Sequence, residues 1–483
     1  MNPETPRSAS PLSPNFWRPK RKKNYPHFDD HLNEREIDSL VKSVSRVREN
    51  PFLPFIVFKK KYYRFGKGAP RKEREKSREL RYAARKDAYI YEYYRQQLSL
   101  RYEEELKRRN LSDVVIAYRK LKTKEGRGKC SVDFARDAFA EIAARRNCIA
   151  LALDVSGYFE TLDHQEIKKQ WCMLLNVSEL PDDHYAVFRA VTRYSQIARD
   201  DVYTRLGYMK RDPITSRWKR TKKEDIPTRL CSMRALRTKL SPIIWTNRER
   251  FGIPQGSPIS DLIANFYLID FDERMSAFAR DIGAYYRRYS DDILFIFSDT
   301  SKSWLSIEQY IRSEIARCGP KLEIKSEKTC VHQFSEMHPT CKSLNGDEKR
   351  FEYLGFQFDG LQARFRDRTT SNFYRKLKWA IYDEARRLVR KHPGKPTAFI
   401  ESKFDISELL QRFGRKKGFS GCDDVRNWTF WTYVNRSSKI MGPLGPNLHR
   451  QIKNYKNFVR YHTPRAVEKA VSNHTVRPIL EEE

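Results

Sequence analysis

The chain has 483 residues, enough for two or three domains, and carries 95 Lys and Arg against 62 Asp and Glu, a formal net charge of +33. An excess that large points to a polyanionic partner, while 39% apolar and 13% aromatic residues still allow a sizeable core. The opening stretch MNPETPRSASPLSPNFW has no apolar segment of the signal-peptide kind, no long apolar run occurs, and the eight cysteines form no C-x-x-C pair. These features disfavour a membrane-spanning protein, a secreted disulfide scaffold and a cysteine zinc site, and a reduced, cytoplasmic protein without membrane partners is expected.

Residues 1–30, rich in Pro, Ser and basic side chains including Arg21, Lys22 and Lys23, read as a flexible basic tail. The mixed charge of 72–109 predicts an amphipathic helix, its Tyr82, Tyr89, Tyr91, Tyr93 and Tyr94 available for core packing or base stacking. DVVIAYRK (113–120) alternates as a strand, and a basic turn, KTKEGRGKC (122–130), follows. Ser131 is expected to cap a helix that lines up Ala135, Ala138, Phe139 and Ile142 on one face. The apolar run CIALAL (148–153) predicts a buried central strand ending at Asp154. A very basic section, 209–225, reads as an exposed insertion, either a nucleic-acid contact or a charged loop. DLIANFYLIDFDERM (261–275) is apolar nearly all round and predicts a buried helix. AYYRRYSDDILFIFS (284–298) predicts two strands meeting at Ser290-Asp291-Asp292. FEYLGFQFDGLQARF (351–365) predicts a hairpin with Asp359-Gly360 as a type I′ turn. From about 370 the pattern is mainly helical, interrupted by GRKKGFSG (414–421).

The chemistry concentrates in acids placed at strand ends. Asp291 and Asp292 are adjacent carboxylates between apolar strands, so their repulsion must be relieved by protonation, solvent or a cation. An Asp-Asp pair is also ordinary turn chemistry. Asp154 changes the balance, because if its strand shares a sheet with the pair the three acids converge. Such a group can hold two Mg²⁺ ions, or Mn²⁺, about 4 Å apart for phosphoryl transfer. GIPQGSPIS, with Gln255 and Gly256, supplies a loop whose glycines permit close approach to a base or sugar.

LDVSGYFETLDH (153–164), GIPQGSPISDLIANFY (252–267), YSDD (289–292), LEIKSEKT (322–329) and FEYLGF (351–356) stand in the order of the palm motifs of reverse transcriptases. The chain resembles that family over roughly residues 110–360. The resemblance implies an α+β right-hand polymerase: fingers and palm over 31–365 with a basic insertion at about 200–250, then a helical, thumb-like domain over 366–483. It implies that Asp154, Asp291 and Asp292 hold the metals together with the backbone carbonyl of Val155. Phe159 matches the aromatic gate that excludes a ribose 2′-hydroxyl, and Gln255 and Gly256 match the loop beside the incoming nucleotide. Lys328 matches a lysine that protonates the departing pyrophosphate, and Tyr353, Leu354 and Gly355 match the primer-grip hairpin. Arg119, Lys120, Arg127 and Lys129 are the candidates to hold the triphosphate.

No acidic cluster suited to an RNase H domain, no paired-cysteine endonuclease and no retron-like motif accompanies the palm. AYRK…GKCSVDFARDAFAEI and the long insertion before GIPQGSPIS are similar to the bacterial defence-associated reverse transcriptases. That similarity implies an RNA-directed DNA polymerase acting on dNTPs, with a dedicated noncoding RNA as template, a DNA product, and a homo-oligomer or an operon-encoded partner protein. Template-independent or protein-primed synthesis, and a maturase-like RNA-binding protein with an idle palm, are the competing expectations.

Overall fold

The computed structural model describes residues 17, 19, 23–63, 75–211, 218–298, 303–324, 329–336, 341–346, 350–414 and 428–475. Its centre is a five-stranded sheet in the spatial order Lys342–Ser343, Cys330–Phe334, Cys148–Asp154, Asp292–Phe297, Tyr285–Tyr289. Every neighbouring pair is antiparallel. Cys148–Asp154 is the middle strand, as its uninterrupted apolar run predicts for a strand covered on both faces. Alternate residues sort to the two sides. Ile149, Leu151 and Leu153 enter one core with the helix Arg85–Arg108, while Cys148 and Ala150 enter a second core with the C-terminal helices. Asp292–Phe297 divides the same way, with Ile293, Phe295 and Phe297 on the first side and Leu294 and Ile296 on the second. The sheet is thus the partition between two cores, and both acid-bearing strands lie inside it.

A smaller four-stranded sheet, in the order Glu75–Tyr82, Phe55–Tyr63, Ser195–Ala198, Trp245–Thr246, forms the fingers. Part of the expected helix 72–109 is therefore a strand. Glu75–Tyr82 pairs antiparallel with Phe55–Tyr63, and the helix begins only at Arg85. Phe55–Tyr63 (FIVFKKKYY) is β-branched and aromatic enough to recruit a charged partner strand. On that helix Tyr89, Tyr91 and Tyr94 are buried and Tyr93 meets Trp17 edge-on at 5.7 Å, so these rings pack rather than face solvent.

Four other expectations shift. Segment 113–120 is not a strand; its only ladder contact is one bridge, Val115 beside Arg288. The helix Ser131–Arg145 is capped by Cys130, whose N–H donates to the Asp133 carboxylate at 2.9 Å. The buried helix around 261–275 is two helices, Ser260–Tyr267 and Ile269–Asp281. In 351–365 the two-residue turn of paired positive φ is Leu354 (φ 44°) and Gly355 (φ 93°). At the second turn Asp359 instead accepts the N–H groups of Leu361 and Gln362.

The insertion contains the short hairpin Met209–Arg211 with Trp218–Arg220. The expected tail ends earlier than residue 30, because His27 and Phe28 are fully buried. Arg85 holds this segment by donating to the carbonyls of Lys23, Tyr25 and Asp29, and to that of Thr228. Residues 1–16, with Arg21 and Lys22, lie outside the described residues. Beyond the palm come the helices Asp367–Lys391, Thr397–Ser402, Ile406–Phe413, Phe430–Met441 and Tyr455–Thr475. All five add residues to the second core, so the helical domain is continuous with the palm. Most of 414–421 lies outside the described residues.

The seven described cysteines form no disulfide with one another. No helix among the described residues is long and apolar enough to cross a membrane.

Asp87, near the start of the helix Arg85–Arg108, is 2% exposed and accepts from Asn50 Nδ2 at 2.9 Å and Leu53 N at 2.8 Å. Burial pushes its carboxyl up to about 7. A folded-state pKa above the unfolded value means the native state binds the extra proton. The contribution of Asp87 to stability is therefore fully present below its unfolded pKa of about 4. It declines as pH rises and levels off above about 7. Denaturant titrations from pH 5 to 8 should show stability falling more steeply in the wild type than in Asp87→Asn. Parallel profiles would contradict a protonated Asp87.

Candidate active site

Asp154 and Asp292 are direct cross-strand partners in the central pairing of the sheet. Residues so paired have Cα atoms about 4.5–5.5 Å apart, and like charges placed there repel. Ser290 (φ 61°) and Asp291 form the tight connection from Tyr289 to Asp292. The connection is held from two sides. Val155 N donates to the Asp291 carbonyl at 3.1 Å, and Arg288 Nη1 donates to the Ser290 carbonyl at 3.0 Å. All three aspartates are half-buried, so the sheet presents them at its edge rather than sealing them inside.

Among the described residues no three His, Cys, Asp or Glu side chains close into a ligand cage. An open set of carboxylates still fits magnesium, which keeps several waters and takes further oxygens from substrate phosphates.

A cleft of about 440 Å³ opens over Asp154 and Asp292, with Tyr289, Tyr353, Leu354, Gly355 and Arg366 in its walls. The hairpin residues expected to grip a primer are thus brought to the same cleft as two of the acids. The Tyr353 hydroxyl is buried without a hydrogen-bond partner. Burial first, then the negative field of Tyr285 and Asp292, holds it well above the ordinary phenol range.

The Gln255–Gly256 loop is stitched to the segment that follows Asp154. Ile253 N donates to the Phe159 carbonyl at 2.8 Å, and Gly252 N to the Leu162 carbonyl at 2.9 Å. The half-buried Phe159 sits on the one-turn helix Tyr158–Thr161, entered through Gly157 at φ 58°. Arg81 N, on the fingers strand, donates to the Gln255 carbonyl at 3.0 Å. Gly256 follows at φ 109°, where a Cβ would stand 2.3 Å from the Arg81 carbonyl oxygen. Gly256→Ala is expected to cost about 1–3 kcal/mol and to reduce nucleotide incorporation by detaching the loop from the fingers. An unchanged denaturation midpoint would show that the loop does not dock on Arg81.

The four basic candidates separate. Arg119 is 5% exposed on its side chain and bonded to Glu103 and to the carbonyls of Ser112 and Val115, which makes it an internal brace. Arg127 pairs with Asp133 and Lys129 with Asp137. Lys120 is exposed and lines a cavity of about 570 Å³ with Tyr118, Arg95 and Pro258. Lys328 lies outside the described residues.

Three residues that pattern reading passed over belong to this site. Arg288 and Asp272 are each fully buried and pair at 2.6–2.7 Å, with Arg288 Nη2 also donating to the Asn265 carbonyl at 2.9 Å and the Tyr286 hydroxyl to Asp272 at 2.7 Å. This guanidinium ties the helix region 265–272 to the turn that carries the aspartates. Tyr118, 44% exposed at φ 58°, places its ring 6.2 Å from that of Tyr289. Burial first, with the fields of Asp291, Asp261 and Asp292, raises its phenol. The available signal was the strand period, which turns Tyr286 and Arg288 inward together. A cation at an inward position calls for a buried acid.

An antiparallel palm with facing aspartates at its edge, fingers in front and a helical domain behind is the layout of a right-hand polymerase. Residues 218–358 match the family model described as reverse transcriptase (RNA-dependent DNA polymerase). The matched span includes Gln255, the Asp291–Asp292 pair and Tyr353; Asp154 precedes it and joins the site through strand register.

No curated protein matches the chain. Among solved structures, it is similar to apo telomerase from Candida tropicalis truncated from the C-terminal domain (TM-score 0.37, 10% identity, covering 60% of this chain and 52% of that one). It is also similar to telomerase from Candida albicans in complex with a TWJ fragment of telomeric RNA (TM-score 0.36, 10% identity, 90% and 63%). The Candida tropicalis enzyme with the same kind of fragment gives a TM-score of 0.35 at 10% identity, covering 82% and 62%. The chain therefore spans between about half and two thirds of these telomerase chains.

Proposed function

We propose that the chain is an RNA-directed DNA polymerase that adds dNTPs to a 3′ or protein hydroxyl. The observation that carries this reading is the register of Asp154 opposite Asp292, with Asp291 in the adjoining turn and the cleft directly above. Asp154, Asp291, Asp292 and the Val155 carbonyl would hold two Mg²⁺ ions, which supply charge neutralisation and a more acidic attacking hydroxyl. The protein's own task is then placement. Tyr353, Leu354 and Gly355 position the primer end, the Gln255–Gly256 loop and Phe159 shape the nucleotide site, and Lys120 is the exposed basic candidate that forms no ion pair among the described residues. An in-line displacement needs mainly such positioning and charge neutralisation.

The template is an RNA, in keeping with the description of the matched family and the net charge of +33. The defence role rests on the likeness of residues 117–142 and of the long insertion to defence-associated enzymes. In that reading the protein acts in the bacterial cytoplasm with a dedicated noncoding RNA and either its own copies or an operon-encoded partner.

Template-directed extension is the test. Purified protein given an RNA template, a primer, dNTPs and Mg²⁺ should incorporate only the complementary nucleotide. Incorporation indifferent to template sequence would move the reading to template-independent synthesis. For the defence role, phage plating efficiency should rise when Asp291→Asn replaces the wild type; equal plating would overturn that part alone.

A further inference from the structure

The helices Asp367–Lys391 and Tyr455–Thr475 pack side by side behind the palm, and their seam is unusually aromatic. Tyr374 and Phe458 rings lie 5.1 Å apart, Phe458 and His462 4.3 Å, and His462 and Tyr461 5.0 Å, forming one continuous run of rings. Its outer end is open. Tyr461 is 57% exposed, and the Arg465 guanidinium sits 3.7 Å from its ring centroid. Trp379, 60% exposed, is the most exposed large hydrophobic residue described.

A run of rings serving only to close a helix pair would bury its members. Tyr374 and Phe458 do join the second core, whereas Tyr461, at the outer end of the run, stands outside it. The charge is one-sided as well. The first helix carries eight Lys and Arg against three Asp and Glu, and the second four against one. Asp383 and Glu384 are occupied by Arg386 and Arg387, while Lys378 and Arg465 form no ion pair among the described residues. Burial first, then these two cations, lowers the pKa of His462. The first helix also starts beside the catalytic cleft, since Arg366, its N-cap, lines that cleft. Tyr374 lies about 12 Å further along the axis at 1.5 Å per residue.

We infer that this face is a track for single-stranded nucleic acid, whose bases stack on Tyr461 and its neighbours while Lys378 and Arg465 meet the phosphates. Exposed rings interleaved with unpaired cations recognise a single strand because every base offers a π-face, whereas a duplex keeps its bases stacked inside. The strand is either template or product, a distinction that rests on the polymerase reading; binding itself does not.

The test is anisotropy of labelled oligo(dT), oligo(U) and a DNA hairpin duplex on the full chain, in an Asp291→Asn/Asp292→Asn background that cannot extend them. Tyr461→Ala should weaken single-strand binding by about 5-fold or more, with Tyr461→Phe restoring it and the melting temperature unchanged. Lys378→Gln and Arg465→Gln should each reduce the salt slope by about 0.7. A loss confined to oligo(dT) assigns the track to product, one confined to oligo(U) assigns it to template, and a loss on both assigns it to either strand. Unchanged single-strand affinity in Tyr461→Ala, or a loss seen only with the duplex, overturns the inference. Failure of extension by the wild-type chain, with single-strand binding intact, would count against the polymerase reading and leave the track standing.

Discussion

Asp292→Asn should reduce nucleotide incorporation by about three orders of magnitude or more while leaving the fold at least as stable as the wild type. The loss is expected because a neutral amide would hold a divalent cation less well than the carboxylate, and that cation would supply the charge neutralisation phosphoryl transfer needs. The stability follows from strand register: Asp154 and Asp292 face each other on adjacent strands, with Asp291 beside them, so the unliganded site concentrates like charges at one sheet edge. Neutralising one acid relieves that repulsion. Mg²⁺ should raise the melting temperature of the wild type, because a ligand that binds only the native state stabilises it. It should do so much less in Asp292→Asn. Activity and melting temperature falling together, with no difference in the response to Mg²⁺, would assign the aspartates to structure.

Arg288→Met carries the second large effect, and here stability moves first. Its guanidinium and the Asp272 carboxylate are both fully buried, and the pair is completed by the Tyr286 hydroxyl and the Asn265 and Ser290 carbonyls. Removing one partner leaves a buried charge uncompensated, at a cost of about 3–5 kcal/mol. Replacing both, as Arg288→Met with Asp272→Leu, should recover most of that loss, because an apolar pair of similar volume often substitutes well for a buried ion pair. Incorporation should stay low in the double variant, since the Ser290 carbonyl still lacks its donor and the turn carrying Asp291 is less well held. Urea titration of the two single variants and the double variant measures the coupling. Additive losses would show that the two residues do not act as a pair, and full activity in the double variant would remove Arg288 from any positioning role.

These two predictions also show where the amino-acid order could be read and where it could not. CIALAL and ILFIF announce themselves because a strand covered on both faces needs no polar residue, and the acids at their ends stand out for the same reason. Antiparallel pairing then sets Asp154 against Asp292. The Arg288–Asp272 pair is hidden because both residues look like solvent-facing charges within YYRRYS and IDFDER; only their burial against one another gives them meaning. Glu75–Tyr82 is hidden for a related reason. Its charges suit a helix surface, and strand structure comes from its partner Phe55–Tyr63. Arg119 shows the converse, a basic residue in a suggestive place that Glu103 and two carbonyls engage. At Leu354-Gly355 and Asp359-Gly360, both turns contain glycine, and the exchange of turn types turns on Asp359 bonding to its own loop.

The central claim is templated DNA synthesis at the aspartate cleft, and the most direct test is sequencing of the nucleic acid that co-purifies with wild type and with Asp291→Ala/Asp292→Ala. A discrete RNA bound to both proteins, with complementary DNA on the wild type alone, is the expected result. DNA unrelated to any bound RNA, or the same DNA on both proteins, would contradict it.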